Sequence, residues 1–490
     1  HFPDSSATLA RAQERLRFDE FFFIQLRNQM SRQELAAAAA SAIPFAADLM
    51  KDFLGRLPYQ LTQCQRRSAW EIIQDLGRAH PMSRLLDGDV GSGKTIVAAA
   101  AARQVASAGQ QTVIMAPTEI LAWQHYQSFS RLFVDTGVTV GVYTRTYRHI
   151  TTRTEPITKA LLLSQLRRGA IQILIGTHAV IQEAVVFQRL GLAIVDEQHR
   201  FGVEQRQALQ QMSPSGLIPH FLSMTATPIP RSLALTLYGD LDISLLDELP
   251  AGRQPIKTAV VLPSQRAELY RTVDAELAAG RQAFIICPLI DPSPTVASAA
   301  VKTEYERLGR EVFPHRRLGL LHGKLTSSEK DRVMAAFVAG EIDVLVATSV
   351  IEVGVDVPNA TMMLIEGAER FGLAQLHQFR GRVGRGAHQS YCWLLTDAAG
   401  AESGQRLAAV VKSQDGFSLA EQDLKLRGPG DVLGSNQSGF PELKFATLFD
   451  VKNIKRAKMA ALAVLAADPQ LNHHPLLRQR VGKWDRVHWE

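Results

Sequence analysis

The sequence predicts an α/β protein with two parallel-sheet lobes in tandem, and three observations carry that reading. A glycine loop, Gly88-Asp89-Val90-Gly91-Ser92-Gly93-Lys94-Thr95, joins a short apolar run at Leu85-Leu86 to an alanine-rich helical segment. Two series of short apolar runs alternate with helical stretches, the pattern of strands covered on both faces by crossover helices. A connection rich in proline and glycine, Glu248 to Pro255, separates the two series. A chain of 490 residues is too long for one core and fits about two to four domains.

Composition narrows the class. Hydrophobic content of 46% and charged content of 21% belong to an ordinary globular protein. The net charge of +6 is compatible with a polyanionic partner without identifying one. Cys64, Cys287 and Cys392 lie far apart with no metal-ligand spacing, which favours a reducing cytosol over disulfides or zinc. No apolar run reaches the roughly 18 residues of a membrane span, so no membrane partner is expected. The start, His1-Phe2-Pro3-Asp4, has no initiator Met and no signal-peptide layout, and reads as beginning part-way into a longer protein.

In chain order, Ala7 to Met50 reads as helix, with Phe18, Phe21, Phe22 and Leu26 on one face as core. Pro58 closes this segment, and residues 1–57 are expected to be a helical linker. The first lobe is expected over 58–250. Its strands end in polar tails: Val113-Ile114-Met115 in Ala116-Pro117-Thr118-Glu119, Ile171 to Ile175 in Gly176-Thr177-His178, Leu192 to Val195 in Asp196-Glu197, and Phe221 to Met224 in Thr225-Ala226-Thr227. In parallel sheets ligands collect at these carboxyl ends. The second lobe, expected over 251–400, repeats the pattern without a second glycine-lysine loop, so phosphate binding falls to the first. Residues 401–490 are expected to be helical around a glycine-bearing hairpin-loop. The last fifty residues, 441–490, hold nine Lys or Arg against five Asp or Glu, which suits a solvated helical tail as well as DNA contact.

Strand, glycine loop and helix together make a phosphate cradle. Gly88, Asp89, Val90, Gly91, Ser92 and Gly93 let backbone N–H groups close around phosphates, and the helix N-terminus adds positive potential. Lys94 would reach the β- and γ-phosphates of ATP, and the Thr95 hydroxyl would ligate Mg²⁺. Asp196 would hold the same Mg²⁺, and Glu197 would polarise the attacking water. His199 is a candidate link from this hydrolytic site to the other lobe. In the second lobe, Gln378-Phe379-Arg380-Gly381-Arg382-Val383-Gly384-Arg385 spaces arginines at a glycine bend, and Arg382 and Arg385 are expected to face ATP across the cleft.

This order of signals resembles the superfamily 2 nucleic-acid translocases, built on two RecA-like lobes. By that resemblance Gln65 is an adenine-reading glutamine. Pro117, Thr118, Thr177 and His178 contact DNA, Thr225-Ala226-Thr227 couple hydrolysis to motion, and Gly354, Asp356 and Gln378 belong to the last two motifs. A narrower resemblance rests on Asp196-Glu197-Gln198-His199-Arg200-Phe201-Gly202-Val203, on Thr225 to Arg231, on Ile351 to Ala360 and on Ala368 to Leu373. These runs are similar to RecG-type branched-DNA motors. Asp415 to Asp431 resembles that family's translocation hairpin-loop, with Gln422, Lys425 and Arg427 as its DNA and translocation residues.

The resemblance implies an ATP- and Mg²⁺-dependent translocase, working as a monomer on forks, Holliday junctions and duplex arms in recombination and repair. A single-stranded DNA-binding protein is a further partner of such motors. Two features depart from the family. Its N-terminal OB-type wedge is not found before His1, and Tyr143 to Lys159 does not match its usual short segment; Arg145, Arg148, Arg153 and Lys159 are candidates to line DNA, but a solvated loop is the preferred reading. Two other readings compete: the transcription-repair coupling motor, which shares the TATPIPR run and the hairpin-loop, and a non-catalytic branched-DNA scaffold.

Overall fold

The computed structural model describes residues 5–182, 184–197, 216–227, 241–250, 254–288, 294–348, 357–386, 388–397, 401–413, 415–427, 443, 445–446 and 450–487. It contains two sheets. The first has eight strands: β1 (Ser83–Gly88), β2 (Gln111–Met115), β3 (Val140–Tyr143), β4 (Arg148–Ile150), β5 (Ile173–Gly176), β6 (Leu190–Asp196), β7 (His220–Thr225) and β8 (Asp242–Leu246), ordered β4-β3-β5-β2-β6-β7-β1-β8. The second has six: β9 (Lys257–Val261), β10 (Gln282–Ile286), β11 (Leu318–Leu321), β12 (Val344–Ala347), β13 (Ala360–Ile365) and β14 (Tyr391–Leu395), ordered β11-β12-β10-β13-β14-β9. Every pairing is parallel except β3 with β4. The predicted architecture, two tandem parallel-sheet lobes, is the one found.

Alternation along each strand explains why both faces are covered. Ile194 and Leu222 join one buried cluster while Ala193, Val195 and Phe221 join the other. On the first face, the Lys94–Ser107 helix buries Ala98 to Ala102, each at most 1% exposed. Small side chains let this helix lie close to the sheet while the Gln63–Leu76 helix packs over it.

The order of the strands places the chemistry. β7 lies between β6 and β1, with Asp196 opposite Met224 and Asp87 opposite Thr225. The glycine loop, the Asp196-Glu197 tail and the Thr225-Ala226-Thr227 tail therefore emerge side by side at the carboxyl end of the sheet. Pro117-Thr118 and Thr177-His178 follow β2 and β5, whose ends also pair, Met115 opposite Gly176.

The N-terminal segment departs from the single helix expected. Helix runs over Ser6–Ala37, breaks, and resumes over Ala47–Gly55. In the break the chain is tied down by the bonds Ala40 N–H to Ala79 O and Ile43 N–H to Leu76 O. Pro44 lacks the N–H that a continuing helix needs. The aromatic stripe is core, as expected, but its partner is at the other end of the chain. Phe21 packs with Ile454 and Ala457, and Leu26 with Ala461 and Leu465, all on the Val451–Ala467 helix.

Tyr143 to Lys159, expected as a solvated loop, is partly ordered into the sheet. β3 and β4 form an antiparallel hairpin, and Ile150 and Ile157 are buried. Tyr147 stacks on Trp123 at 4.8 Å between ring centroids. Arg145 lies 3.5 Å from Glu119, and the Lys159 ammonium stands over the Tyr143 ring.

Lobe meets lobe where the Glu119–Leu132 helix approaches the Ser327–Val338 helix, and Ile120 joins the second lobe's buried cluster. Here burial, then the charge of Glu119, pushes the Asp331 carboxyl up to about 6. A raised acid favours the folded state below its unfolded value near 3.8 and loses that contribution as pH rises through about 6. Asp331→Asn is therefore expected to raise the thermal midpoint by about 2 °C at pH 7.5 and by clearly less at pH 4.5, a small effect because the group is only half-buried. A midpoint that falls at pH 7.5 would contradict the assignment.

Candidate active site

The glycine loop leaves β1 and turns into the Lys94–Ser107 helix through Gly93, whose φ is +85°. A Cβ there would stand 2.3 Å from the Gln65 amide nitrogen, so both the turn and the close approach require glycine. Both ends of the Gln65 amide are bonded within the protein: Oε1 accepts from Thr62 N–H at 3.0 Å, and Nε2 donates to the Ser92 carbonyl at 2.8 Å. In this arrangement it anchors the phosphate loop from behind. The sequence pattern suggested an adenine contact and missed this bond to the loop.

Lys94 Nζ donates to the carbonyls of Gly88 at 2.7 Å and Asp89 at 2.9 Å. Burial lowers its pKa, and the charges of Glu197, Asp196, Asp89 and Asp87 oppose that shift. Lys94 and Thr95 line a cavity of about 250 Å³, together with Asp196, Glu197, Arg382 and Arg385. The predicted loop, acidic pair and arginine pair thus share one space, although the arginines come from the other lobe.

The two carboxylates are driven apart. Burial alone would raise the Asp196 carboxyl. The His125 hydrogen bond and charge, with Lys94, outweigh it and hold Asp196 below the usual carboxylate range. His125 Nε2 lies 2.7 Å from Asp196 Oδ2, both groups nearly sealed from solvent. Burial, then the charge of Asp196, raises Glu197. A pair pushed in opposite directions suits a metal-holding carboxylate beside a general base. Glu197 also adopts φ +56°, a left-handed conformation that costs a non-glycine residue about 1 kcal/mol or more.

Ala226 and Thr227, expected as coupling residues, touch both sides of this site. Ala226 N–H donates to Glu197 Oε2 at 3.4 Å, and the Gln378 amide from the second lobe bonds the Thr227 hydroxyl. Close approach of the lobes is visible at Gly381, where a Cβ would stand 2.8 Å from Val90 Cβ. Arg382 is 3% exposed, and its charge acts on Glu197. Arg385 Nε donates to the Gly381 carbonyl at 3.3 Å.

Thr118 caps the Glu119–Leu132 helix, accepting from Leu121 N–H, and His178 is exposed beyond β5. Gln422 is exposed on the Gly416–Arg427 helix, which also carries Lys425 and Arg427. His199, Gly354 and Asp356 lie outside the described residues, as does the glycine-rich run after Arg427. Sequence reading missed His125 and His377. Nothing local marks either one, because their carboxylate partners stand 71 and 288 positions away.

Comparison with known proteins agrees with this geometry. Residues 62–236 match the DEAD/DEAH box helicase family and residues 265–387 the helicase conserved C-terminal domain. Residues 413–485 match the C-terminal part of domain 3 of ATP-dependent DNA helicase RecG. The chain belongs to the RecG family. It is 48% identical to the RecG of Synechocystis over 98% of its own length and 57% of that protein, and 46% identical to the RecG of Thermotoga maritima over 94% and 58%. It therefore spans less than two thirds of these RecG relatives. A solved structure of RecG bound to a three-way DNA junction aligns with a TM-score of 0.81 at 43% identity, over 94% of this chain and 58% of that one. The DNA-bound helicase MrfA shares the fold alone, with a TM-score of 0.55 at 17% identity over 77% of this chain and 55% of that one.

Among the described residues no helix is long and apolar enough to cross a membrane.

Proposed function

We propose that this RecG-family chain is the motor portion of an ATP-dependent translocase on double-stranded DNA. It would act on branched substrates, regressing replication forks and migrating Holliday junctions. The observation that carries the reading is one cavity lined by Lys94, Asp196 and Glu197 from the first lobe and by Arg382 and Arg385 from the second. A site divided between two lobes hydrolyses only when they close, so turnover becomes relative motion.

Within this reading, Lys94 exchanges the Gly88 and Asp89 carbonyls for phosphate oxygens of ATP, and the loop N–H groups hold the remainder. The Thr95 hydroxyl and the Asp196 carboxylate are hard oxygen donors on one cavity, a donor set that fits Mg²⁺. When bound, the ion would neutralise phosphate charge. Glu197, made more basic by burial and by Asp196, takes the proton of the attacking water. Arg382 and Arg385 offset charge on the transferring group. Ala226, bonded to Glu197, and Thr227, bonded to Gln378, carry the change to the second lobe.

DNA would lie along the edge bearing Pro117, Thr118, Thr177 and His178, and would be moved by the segment holding Gln422, Lys425 and Arg427. Contacts of this type are mainly to phosphates, so binding should be independent of sequence and fall steeply with salt. Residues 1–57, 58–250, 251–400 and 401–490 would act as brace, ATP lobe, closing lobe and translocation region. The match to RecG domain 3 supports this reading over the coupling motor.

The test is the ATPase rate of the 490-residue chain with no DNA, single strands, linear duplex and a four-way junction. Severalfold stimulation by duplex and junction alike is expected. Equal rates with and without every DNA would contradict a duplex motor.

A further inference from the structure

We propose that His377 is a positioning residue that latches the second lobe onto the phosphate loop through Asp89, resting on the motor reading above. His377 lies one position before the arginine-bearing run, on the Leu373–Arg380 helix. Its Nε2 stands 2.6 Å from Asp89 Oδ1, with side chains only 5% and 13% exposed. Arg380 donates to His377 Nδ1 at 2.8 Å. Because the guanidinium can only donate, Nδ1 accepts, which leaves Nε2 to carry the N–H directed at Asp89. The tautomer is therefore set by Arg380.

On the loop side, Asp89 accepts from its neighbour Val90 N–H at 2.6 Å, and its carbonyl receives Lys94. A shift of the loop on phosphate binding therefore reaches His377 directly. On the far side, Arg380 donates to the carbonyls of Val410 and Ser413, both at 2.7 Å, at the turn between the Ala401–Lys412 and Gly416–Arg427 helices. The N-terminus of the same short helix is held where Leu373 N–H donates to Asp423 Oδ1 at 3.2 Å. One helix thus bonds the phosphate loop at His377, the Gly416–Arg427 helix at its N-terminal end, and the end of the preceding helix and its turn at its C-terminal end. The latch lets the second lobe sense the state of the loop itself, beside the route through the arginines.

The test is a double-mutant cycle on the full chain, reading ATP kcat and KM with and without linear duplex. His377→Ala and Asp89→Ala should each lower kcat by about tenfold or more, the effect of losing one charge-assisted hydrogen bond. For His377→Ala the KM for ATP should stay within about twofold, because Lys94 and the loop N–H groups still bind phosphate. The double variant should lose no more than the worse single one. His377→Gln, which restores a donor at similar reach, should recover most of the rate, and His377→Phe, which only fills the space, should not. Multiplying losses, a rise in KM without a fall in kcat for His377→Ala, or a fully active His377→Phe would overturn the latch. An unaltered chain indifferent to duplex would sink the motor reading separately, with the cycle then read on the unstimulated rate. No hydrolysis at all would overturn both.

Discussion

Replacing Lys94 with alanine is expected to lower ATP turnover by about three orders of magnitude, the scale of losing a buried charge that stabilises the transition state. Four carboxylates, on Glu197, Asp196, Asp89 and Asp87, act on this ammonium. Without it Asp196 and Glu197, which line the same cavity, lose a cation that acts on both, and the polyphosphate loses its only cation from the loop. Nucleotide affinity should fall together with kcat, since Lys94 bonds the loop carbonyls beside which the phosphates would lie. A steady-state ATPase assay with a fluorescent-nucleotide titration checks both. Turnover within about tenfold of the unaltered chain would contradict the assignment of the site.

Glu197→Gln is expected to separate binding from chemistry. Its turnover should drop by about 10² to 10⁴, the range for a lost general base, while nucleotide affinity stays near normal. The two states of this carboxyl also predict a pH effect. Burial and Asp196 raise its pKa, so the active carboxylate is lost at a higher pH than for an ordinary glutamate as pH falls. The acid limb of kcat should therefore lie above the usual glutamate range, and Glu197→Gln should abolish that limb in whatever rate remains. Stability should move the other way. A raised acid contributes to folding only while protonated, and that contribution disappears as pH rises through its folded pKa. At neutral pH the glutamine variant should unfold at the same temperature as the unaltered chain or above it, measured calorimetrically. A marked fall in midpoint would mean that Glu197 serves packing more than catalysis.

The parts of the site that could be read in the sequence are those whose chemistry is local. A glycine loop followed by lysine and threonine marks a phosphate cradle where it opens a helix, and Asp196-Glu197 marks the polar end of an apolar strand, although the fold buries both carboxylates. Their convergence could also be anticipated, because a parallel sheet gathers the carboxyl ends of its strands at one end. What could not be read depends on contacts between distant positions. His125 beside Asp196 and His377 beside Asp89 look like ordinary helical histidines until the fold is closed. The Phe21 and Leu26 stripe announced burial but not the Val451–Ala467 helix as its partner. The β3–β4 hairpin was hidden because its polar strand, Arg148–Ile150, sits at a sheet edge and buries only Ile150 fully. Gln65 carried the expected residue type, and only its neighbours reveal that its amide holds the loop.

The central claim is that hydrolysis in the divided cavity drives this chain along duplex DNA. Its most direct test is displacement of a third strand from a DNA triplex flanked by linear duplex. The account predicts release of that strand with ATP, none with a non-hydrolysable analogue, and none with Lys94→Ala. Rapid, duplex-stimulated hydrolysis with the third strand left in place would show a nucleotide switch rather than a motor, and would contradict the account.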